Sequence, residues 1–153
     1  MNHGAVRAVD GSYSTWWSSR PFDPQWIEVD YGTPSEIAGL RLYWGGNYGD
    51  YDVFLSPDGQ AWEKVYSRIR ADGGLDEIYF TPVTARALRI VTTKQARRDG
   101  YNLIEIETMT TDETPLAESS SAKPDSPAIH VLDGKMNTTW QSEANGKQWL
   151  QLD

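Results

Sequence analysis

Apolar and polar residues alternate in short runs along most of the chain, and turn residues separate the runs. Aromatic and β-branched residues are common in these runs, which is typical of β-strands. The runs cover residues 26–29, 37–44, 51–55, 62–66, 78–80, 88–90 and 103–106. Turn signals such as Pro57-Asp58-Gly59 and Asp72-Gly73-Gly74 lie between them. Because helical periodicity is hard to find, the pattern predicts an all-β sandwich or barrel.

Several aromatic residues fall within this strand pattern. Trp17, Trp26 and Trp62 occupy strand motifs or their borders, so we expect them to be core residues. Tyr51 alternates with Val53, and we expect it to be buried as well.

The composition changes after residue 109. Residues 110–127 contain few large apolar residues and are rich in Ser, Thr, Pro and charge, which is typical of a linker. We therefore divide the chain into a module at 1–110, a linker with one short strand at 111–127, and a further segment at 128–153.

The segment at 128–153 repeats the beginning of the module at an offset of 123 residues. Eight of the twenty-one positions from Asp10 to Asp30 are identical in the two copies, without a gap. Two of the identities are tryptophans, Trp17/Trp140 and Trp26/Trp149, which makes coincidence a poor explanation. The chain is therefore expected to hold one nearly complete module and the truncated start of a second, as in a tandem array.

The composition of the chain argues against several classes of function. The formal net charge of −8 argues against nucleic acid as a partner, because phosphate binding needs a basic surface. There is no cysteine and no run of eighteen apolar residues, which leaves no disulfide scaffold and no membrane span. The N-terminus shows no signal peptide. Seven Trp and eight Tyr in this polar chain suggest that some rings are exposed and bind a ligand.

Two motifs carry a family resemblance. The pattern A-x-x-A-x-D-G-x-x-x-T-x-W-x-S from Ala5 to Ser19, followed by D-P-Q-W-I-x-V-D-x-G from Asp23 to Gly32, resembles the coagulation factor V/VIII type C, or discoidin, domain. Residues 44–51 (WGGNYGDY), the Gly73-Gly74 loop and Gly100-Tyr101 are most similar to bacterial family 32 carbohydrate-binding modules. The resemblance implies a jelly-roll β-sandwich of the galactose-binding-domain type, with about eight strands.

The same resemblance implies a structural calcium ion in the loop around Asp10-Gly11. Asp10, Thr15 and Glu105 would supply side-chain oxygens, and carbonyl oxygens would come from Arg7, Ser12 and Ile104. The alternative from the residues alone is an Asx turn at Asp10, capped by Thr15, with Glu105 solvated.

The expected glycan site consists of aromatic, Arg and Asn residues on loops. Sugars combine flat apolar faces with hydroxyl groups, so an exposed ring can stack while polar groups orient the ligand. The candidates are Arg20, Trp44, Asn47, Tyr48, Arg97, Arg98 and Tyr101. The alternative for Arg97 and Arg98 is a solvated basic loop on an acidic protein.

The sequence favours a binding module over an enzyme. None of the catalytic motifs G-x-S-x-G or H-E-x-x-H occurs, and no pair of carboxylates is placed for glycoside hydrolysis. The resemblance implies a non-catalytic module that attaches a secreted, bacterial polysaccharide-degrading enzyme, such as a glycoside hydrolase, to its glycan. The alternative is a discoidin-type adhesion or protein-interaction domain. A membrane-surface domain is disfavoured, because these loops carry glycine and net negative charge.

The first copy lacks the strand that normally precedes its calcium loop. Residues 116–122 (LAESSSA) are the corresponding strand of the second copy, and we expect them to turn back and fill the empty place. Residues 128–153 would then be left over, and their exposed tryptophans would favour docking or self-association.

Overall fold

The structure, a computed structural model, describes residues 3–46, 48–95, 99–115, 117–133, 138–143 and 146–152. Within these ranges it contains short 3₁₀ turns and β-strands, and no α-helix. The strands are β1 (Trp17–Ser18), β2 (Gln25–Trp44), β3 (Gly49–Ser56), β4 (Glu63–Arg68), β5 (Gly74–Gln95), β6 (Asn102–Met109), β7 (Ala117–Ser119) and β8 (Leu150–Leu152). The prediction of an all-β fold is confirmed.

Two long strands, β2 and β5, organise the module. They pair antiparallel along their whole length, with Gln25 opposite Thr92 near one end and Trp44 opposite Gly74 at the other. The first half of β2 and the second half of β5 form one layer with β3 and β4. The other halves form a second layer with β6 and β1. The register shifts between Asp30 and Ser35, where β2 passes from one layer to the other.

The core lies between the two layers. Alternate residues of β2, β3, β5 and β6 point inward, as the alternating pattern predicts. The largest buried residues include Leu40, Leu42, Leu88, Ile90, Leu103 and Tyr51. The burial expected for Tyr51 and Trp17 is confirmed, at 1% and 8% exposure.

Two of the expected core tryptophans lie on the outside of the sandwich. Trp26 is 61% exposed, and Trp62 is only partly buried. Trp26 takes the outward position because its neighbour Ile27 takes the inward one. The guanidinium of Arg89 lies between the two rings, 5.6 Å from the Trp26 centroid and 3.9 Å from that of Trp62. The core prediction for Trp26 and Trp62 is therefore wrong.

A bulge in β6 turns Glu105 away from the core. Leu103 faces Trp44 and Ile106 faces Leu42, but Glu105 lies opposite Tyr43, across a shift in register. Because a bulge adds one residue to a strand, it re-aims the side chain that follows it. Glu105 therefore points to the outer face, where the loop around Asp10-Gly11 covers it.

The segment at 117–119 does not join the sandwich. It pairs antiparallel with β8 in a separate two-stranded sheet, with Ala117 opposite Leu152 and Ser119 opposite Leu150. Leu116 lies outside the described residues. The expectation that this segment fills the empty place in its own module is wrong, because its strand partner is the second copy's own counterpart of β2.

Among the described residues, no helix has the length and apolar character to cross a membrane.

Candidate functional site

Four connections meet at one end of the sandwich. They follow β1, β2, β4 and β5, and each passes from one layer to the other. The register requires this, because Gly49 lies opposite Gln95 in one layer, and Trp44 lies opposite Gly74 in the other. Residues far apart in sequence are thereby brought to a common surface, here called the loop end.

Direct contacts join these connections to one another. The Tyr101 hydroxyl donates to Asp23 Oδ1 at 2.6 Å, and the Gln95 N–H donates to Asp23 Oδ2 at 3.2 Å. The ring of Tyr48 lies against Gly73, where a Cβ would come within 2.6 Å of Tyr48 Cδ1. Only glycine fits there, since the backbone φ is also +81°. The loop end is therefore held by packed contacts.

Only some of the residues predicted for the glycan site have side chains that a ligand could reach. Arg20 is exposed, and Tyr48 is half-buried against the core. Trp44 and Tyr101 are 3% and 0% exposed. The expectation that their rings stack on a ligand is wrong, because both side chains fill the space between the layers beneath the loops. Asn47, Arg97 and Arg98 lie outside the described residues.

A pocket of about 570 Å³ opens at the loop end. Two cationic side chains, Arg70 and Lys94, and the carboxylate of Asp50 line it beside the exposed Ile69. Gly49, Ala71 and Gln95 complete the lining. The pocket thus offers hydrogen-bond donors, one acceptor and one apolar contact, a combination that suits a hydroxyl-rich ligand.

A hydrogen bond from its backbone N–H fixes the position of Arg70. Its φ is 55°, a left-handed conformation that is uncommon outside glycine, and its N–H donates to Asp50 Oδ1 at 2.7 Å. Strained residues of this kind cluster at functional sites. Neither Ile69 nor Arg70 lies in a sequence motif that predicted a binding site. The signal available was an arginine just before the glycine-rich turn at residues 72–74, in a loop between two strands.

The loop around Asp10 forms a compact cluster of oxygen atoms. The Thr15 hydroxyl donates to the Asp10 carboxylate at 2.8 and 2.9 Å, and the Ser12 N–H donates to Asp10 Oδ1 at 3.1 Å. The Asx turn of the alternative interpretation is therefore present. The same interpretation also expected Glu105 to be solvated. That expectation is wrong, because Glu105 is 4% exposed and accepts the Gly11 N–H at 3.1 Å.

The electrostatics of the two carboxylates differ. Burial raises the pKa of Glu105, and the nearby Asp10 charge adds to this effect. The hydrogen bond from Thr15 lowers the pKa of exposed Asp10, which also pairs with Arg7 at 3.2 Å. Glu105 forms no ion pair among the described residues.

These donors fit a hard cation. A buried carboxylate under a loop that carries a second carboxylate and a hydroxyl is the donor chemistry that Ca²⁺ prefers. No group of three or more His, Cys, Asp or Glu suited to a metal occurs in the part of the chain that the structure describes. Any calcium at this place would therefore need carbonyl and hydroxyl oxygens as well.

The second copy reproduces the local geometry of the first. The Thr138 hydroxyl donates to the Asp133 carboxylate at 2.8 and 2.9 Å, the same distances as for Thr15 and Asp10. A 3₁₀ turn precedes each loop, at Ala5–Ala8 and at Ala128–Val131. The two segments therefore share the 3₁₀ turn and the Thr–Asp hydrogen bonds.

Comparison with known proteins agrees with this class of fold, a β-sandwich of the discoidin type. The F5/8 type C domain family matches residues 1–106, so the chain belongs to that family. The predicted resemblance is confirmed.

Solved structures add detail. Chitosan-binding module 1 of a chitosanase/glucanase from Paenibacillus sp. IK-5 is 37% identical, with a TM-score of 0.67 over 70% of this chain and 85% of that one. The family 32 module of AlyQ, solved with 4,5-unsaturated mannuronic acid, is 22% identical, with a TM-score of 0.63 over 71% of this chain and 88% of that one. The second likeness shows the fold alone, a discoidin-type jelly roll.

One relative is a much longer protein than this chain. The polysaccharide lyase 8 family protein HylA of Enterococcus faecalis is 32% identical over 68 residues. The alignment covers 44% of this chain and 5% of that protein. The chain therefore matches only a small part of the relative.

Proposed function

We propose that this chain is a non-catalytic carbohydrate-binding module that binds an oligosaccharide or polysaccharide at the loop end. The observation that carries the proposal is the pocket lined by Arg70, Lys94 and Asp50, in a family member 37% identical to a chitosan-binding module. Arg20 and Tyr48 lie on the connections that follow β1 and β2 at the same end of the sandwich, and they remain candidates. Asn47 belongs by sequence to the connection after β2, Arg97 and Arg98 belong to the one after β5, and they remain candidates as well.

The mechanism is recognition without chemistry. Ile69 offers apolar contact to the face of a sugar, and Arg70 and Lys94 donate hydrogen bonds to its hydroxyl or carboxylate oxygens. Asp50 accepts the Arg70 N–H, so it fixes the loop as well as lining the pocket. Because the pocket is open to solvent, we expect affinities in roughly the micromolar to millimolar range.

We extend the proposal to calcium. Asp10, Thr15 and Glu105, with carbonyl oxygens of Arg7, Ser12 and Ile104, would hold the ion. A bound Ca²⁺ would supply positive charge to a buried carboxylate and tie the loop to β6. Its role would be structural.

The parent protein belongs to the same proposal. A module of this kind would hold a secreted bacterial polysaccharide-degrading enzyme, such as a glycoside hydrolase, on its substrate. Tandem copies would raise its avidity on an insoluble polymer.

Calorimetric titration with chitotriose and with an oligomannuronate of equal length tests the glycan proposal. We expect saturable binding of at least one of them, and Lys94→Gln should weaken it by about 3- to 10-fold, the usual effect of losing one charged hydrogen bond. Lys64→Gln is the matched control, because Lys64 lies on β4 beyond the pocket and pairs with Asp52. Equal losses in both variants, or binding of neither sugar, would contradict the loop-end site.

A further inference from the structure

The arginines at the loop end differ in their pairing from those elsewhere in the chain. Acidic residues outnumber basic ones by 22 to 14, so most cationic side chains have a carboxylate within reach. Among the described residues, the exceptions are Arg20 and Arg70, and both lie on loop-end connections. The other described arginines all form ion pairs with carboxylates: Arg7, Arg41, Arg68, Arg86 and Arg89.

Lys94 is a second unpaired cation in the loop-end pocket. It lies directly opposite Asp50 in the antiparallel pairing of β3 and β5, yet within the described part of the chain no ion pair joins the two. Asp50 is engaged by the backbone instead, because its Oδ1 accepts the Arg70 N–H at 2.7 Å. The pocket therefore holds two cations and one carboxylate, and one oxygen of that carboxylate is already occupied.

The other hydrogen-bond acceptors beside the pocket are occupied as well. Gln95 lines the pocket, and its Oε1 accepts the Gly100 N–H at 3.0 Å, which leaves its side-chain NH₂ as a donor. Asp23 accepts the Tyr101 hydroxyl on one oxygen and the Gln95 backbone N–H on the other. The groups that remain available to a ligand are mainly donors, and this favours a ligand rich in acceptors.

We propose that the pocket selects a sugar that carries a carboxylate, a uronate, over neutral sugars and amino sugars. The inference rests on the proposed function, since it assigns a class of ligand to the same pocket. A carboxylate brings two acceptor oxygens and a negative charge, which complement the Arg70 guanidinium and the Lys94 ammonium. Ile69, which is 73% exposed, offers an apolar contact beside these cations.

The same charges disfavour a cationic sugar. The ammonium group of an amino sugar would meet two like charges in the pocket, and like charges at close range repel. Its only carboxylate partner there would be Asp50, which is already bonded to the backbone of Arg70. Selectivity for uronates therefore follows from the cations that are left unpaired and from the acceptors that are already used.

Calorimetric titration with matched trimers tests this selectivity. Trimannuronate and β-linked mannotriose share one skeleton and differ at carbon six, where the first has a carboxylate and the second a hydroxymethyl group. Trigalacturonate and α-linked galactotriose form a second pair of this kind. We expect at least one uronate trimer to bind at least about 10-fold more tightly than its neutral partner and than the glucosamine trimer, as charged hydrogen bonds should provide.

The outcomes separate this inference from the proposed function. If a neutral trimer or the glucosamine trimer binds as tightly as both uronates, selectivity for uronates is wrong, although the glycan site stands. If no trimer binds, the inference and the proposed function both fail.

Removing the two cations should remove the selectivity. In the double variant Arg70→Gln/Lys94→Gln, the preferred uronate trimer should bind no more than about 2-fold more tightly than its neutral partner. Arg70→Gln keeps the backbone N–H that anchors the loop, so the change acts on the side-chain charge. Lys64→Gln/Arg86→Gln is the matched control, because it removes the same charge from residues that pair with carboxylates outside the pocket. A pocket variant that keeps the full preference, or a control that loses as much of it, would overturn the proposal.

Discussion

Glu105 accepts the backbone N–H of Gly11 at 3.1 Å, although 94 residues separate the two in sequence. This contact joins the loop that precedes β1 to the strand that closes the module. It also places a buried carboxylate beneath that loop, where burial opposes its charge. Glu105 is therefore the residue whose chemistry best distinguishes an ion site from a structural turn.

We predict that calcium raises the melting temperature and that Glu105→Gln removes this effect. At a free calcium concentration 100 times the Kd, the stabilisation would be about 2.7 kcal/mol. Thermal unfolding with calcium and with EDTA measures it, and Glu63→Gln on β4 is the control that should keep the full increment. An unchanged melting temperature with and without chelator would contradict the calcium proposal.

We predict a pH effect from the same residue in metal-free protein. The pKa of Glu105 is raised in the folded state, so the folded protein holds this proton more tightly than the unfolded chain does. Its contribution to stability is therefore lost as pH rises from the ordinary pKa of glutamate through the raised value. The urea midpoint of Glu105→Gln should exceed that of the original chain at neutral pH and converge with it in acid. A constant difference across this range would show that Glu105 does not titrate in this way.

We predict that Trp44 contributes to stability far more than Trp26. Trp44→Ala should cost about 3–5 kcal/mol, because it empties a site in the core beside Tyr51. Trp26→Ala should cost about 1 kcal/mol, since the ring is exposed and loses mainly its contact with Arg89. Urea unfolding of the two variants measures both values, and equal losses would contradict the assignment of Trp44 to the core.

We predict that Gly73→Ala disturbs the loop end beyond the cost of its backbone conformation. Gly59→Ala is the matched control, because φ is +79° there and nothing lies within 4 Å of the added Cβ. Both variants should lose roughly 1–2 kcal/mol to the left-handed backbone. Only Gly73→Ala should also displace the Tyr48 ring, which NMR shifts of that ring would report. Identical losses and an unmoved ring would remove the contact between Tyr48 and Gly73.

The alternation of apolar and polar residues predicted the strands well, because alternate residues of a strand face the core. It did not prevent the wrong assignment of Trp26 to the core, since which face of a strand is inward depends on the partner layer. The buried state of Trp44 and Tyr101 was missed for a related reason. Both residues lie next to glycine-rich loops. Strand β2, however, continues as far as Trp44, and strand β6 begins directly after Tyr101. The aromatic rings therefore belong to the core, although the residues next to them belong to loops.

The pocket could not be predicted from the sequence, because the order of the strands in the sheet brings its residues together. Arg70 and Lys94 are 24 positions apart, and no sequence motif joins them. They meet because β3 lies between β4 and β5 in the sheet, and this brings the end of one neighbour to the end of the other. The motifs around Asp10 and Trp26 identified the family and the fold, but strand order brings the residues of the pocket together.

The passage of β2 and β5 through both layers has a consequence for cooperativity. Since one half of β2 and one half of β5 belong to each layer, unfolding of one layer would pull on strands that the other layer needs. The module should therefore unfold as one unit, with a calorimetric enthalpy equal to the van't Hoff enthalpy.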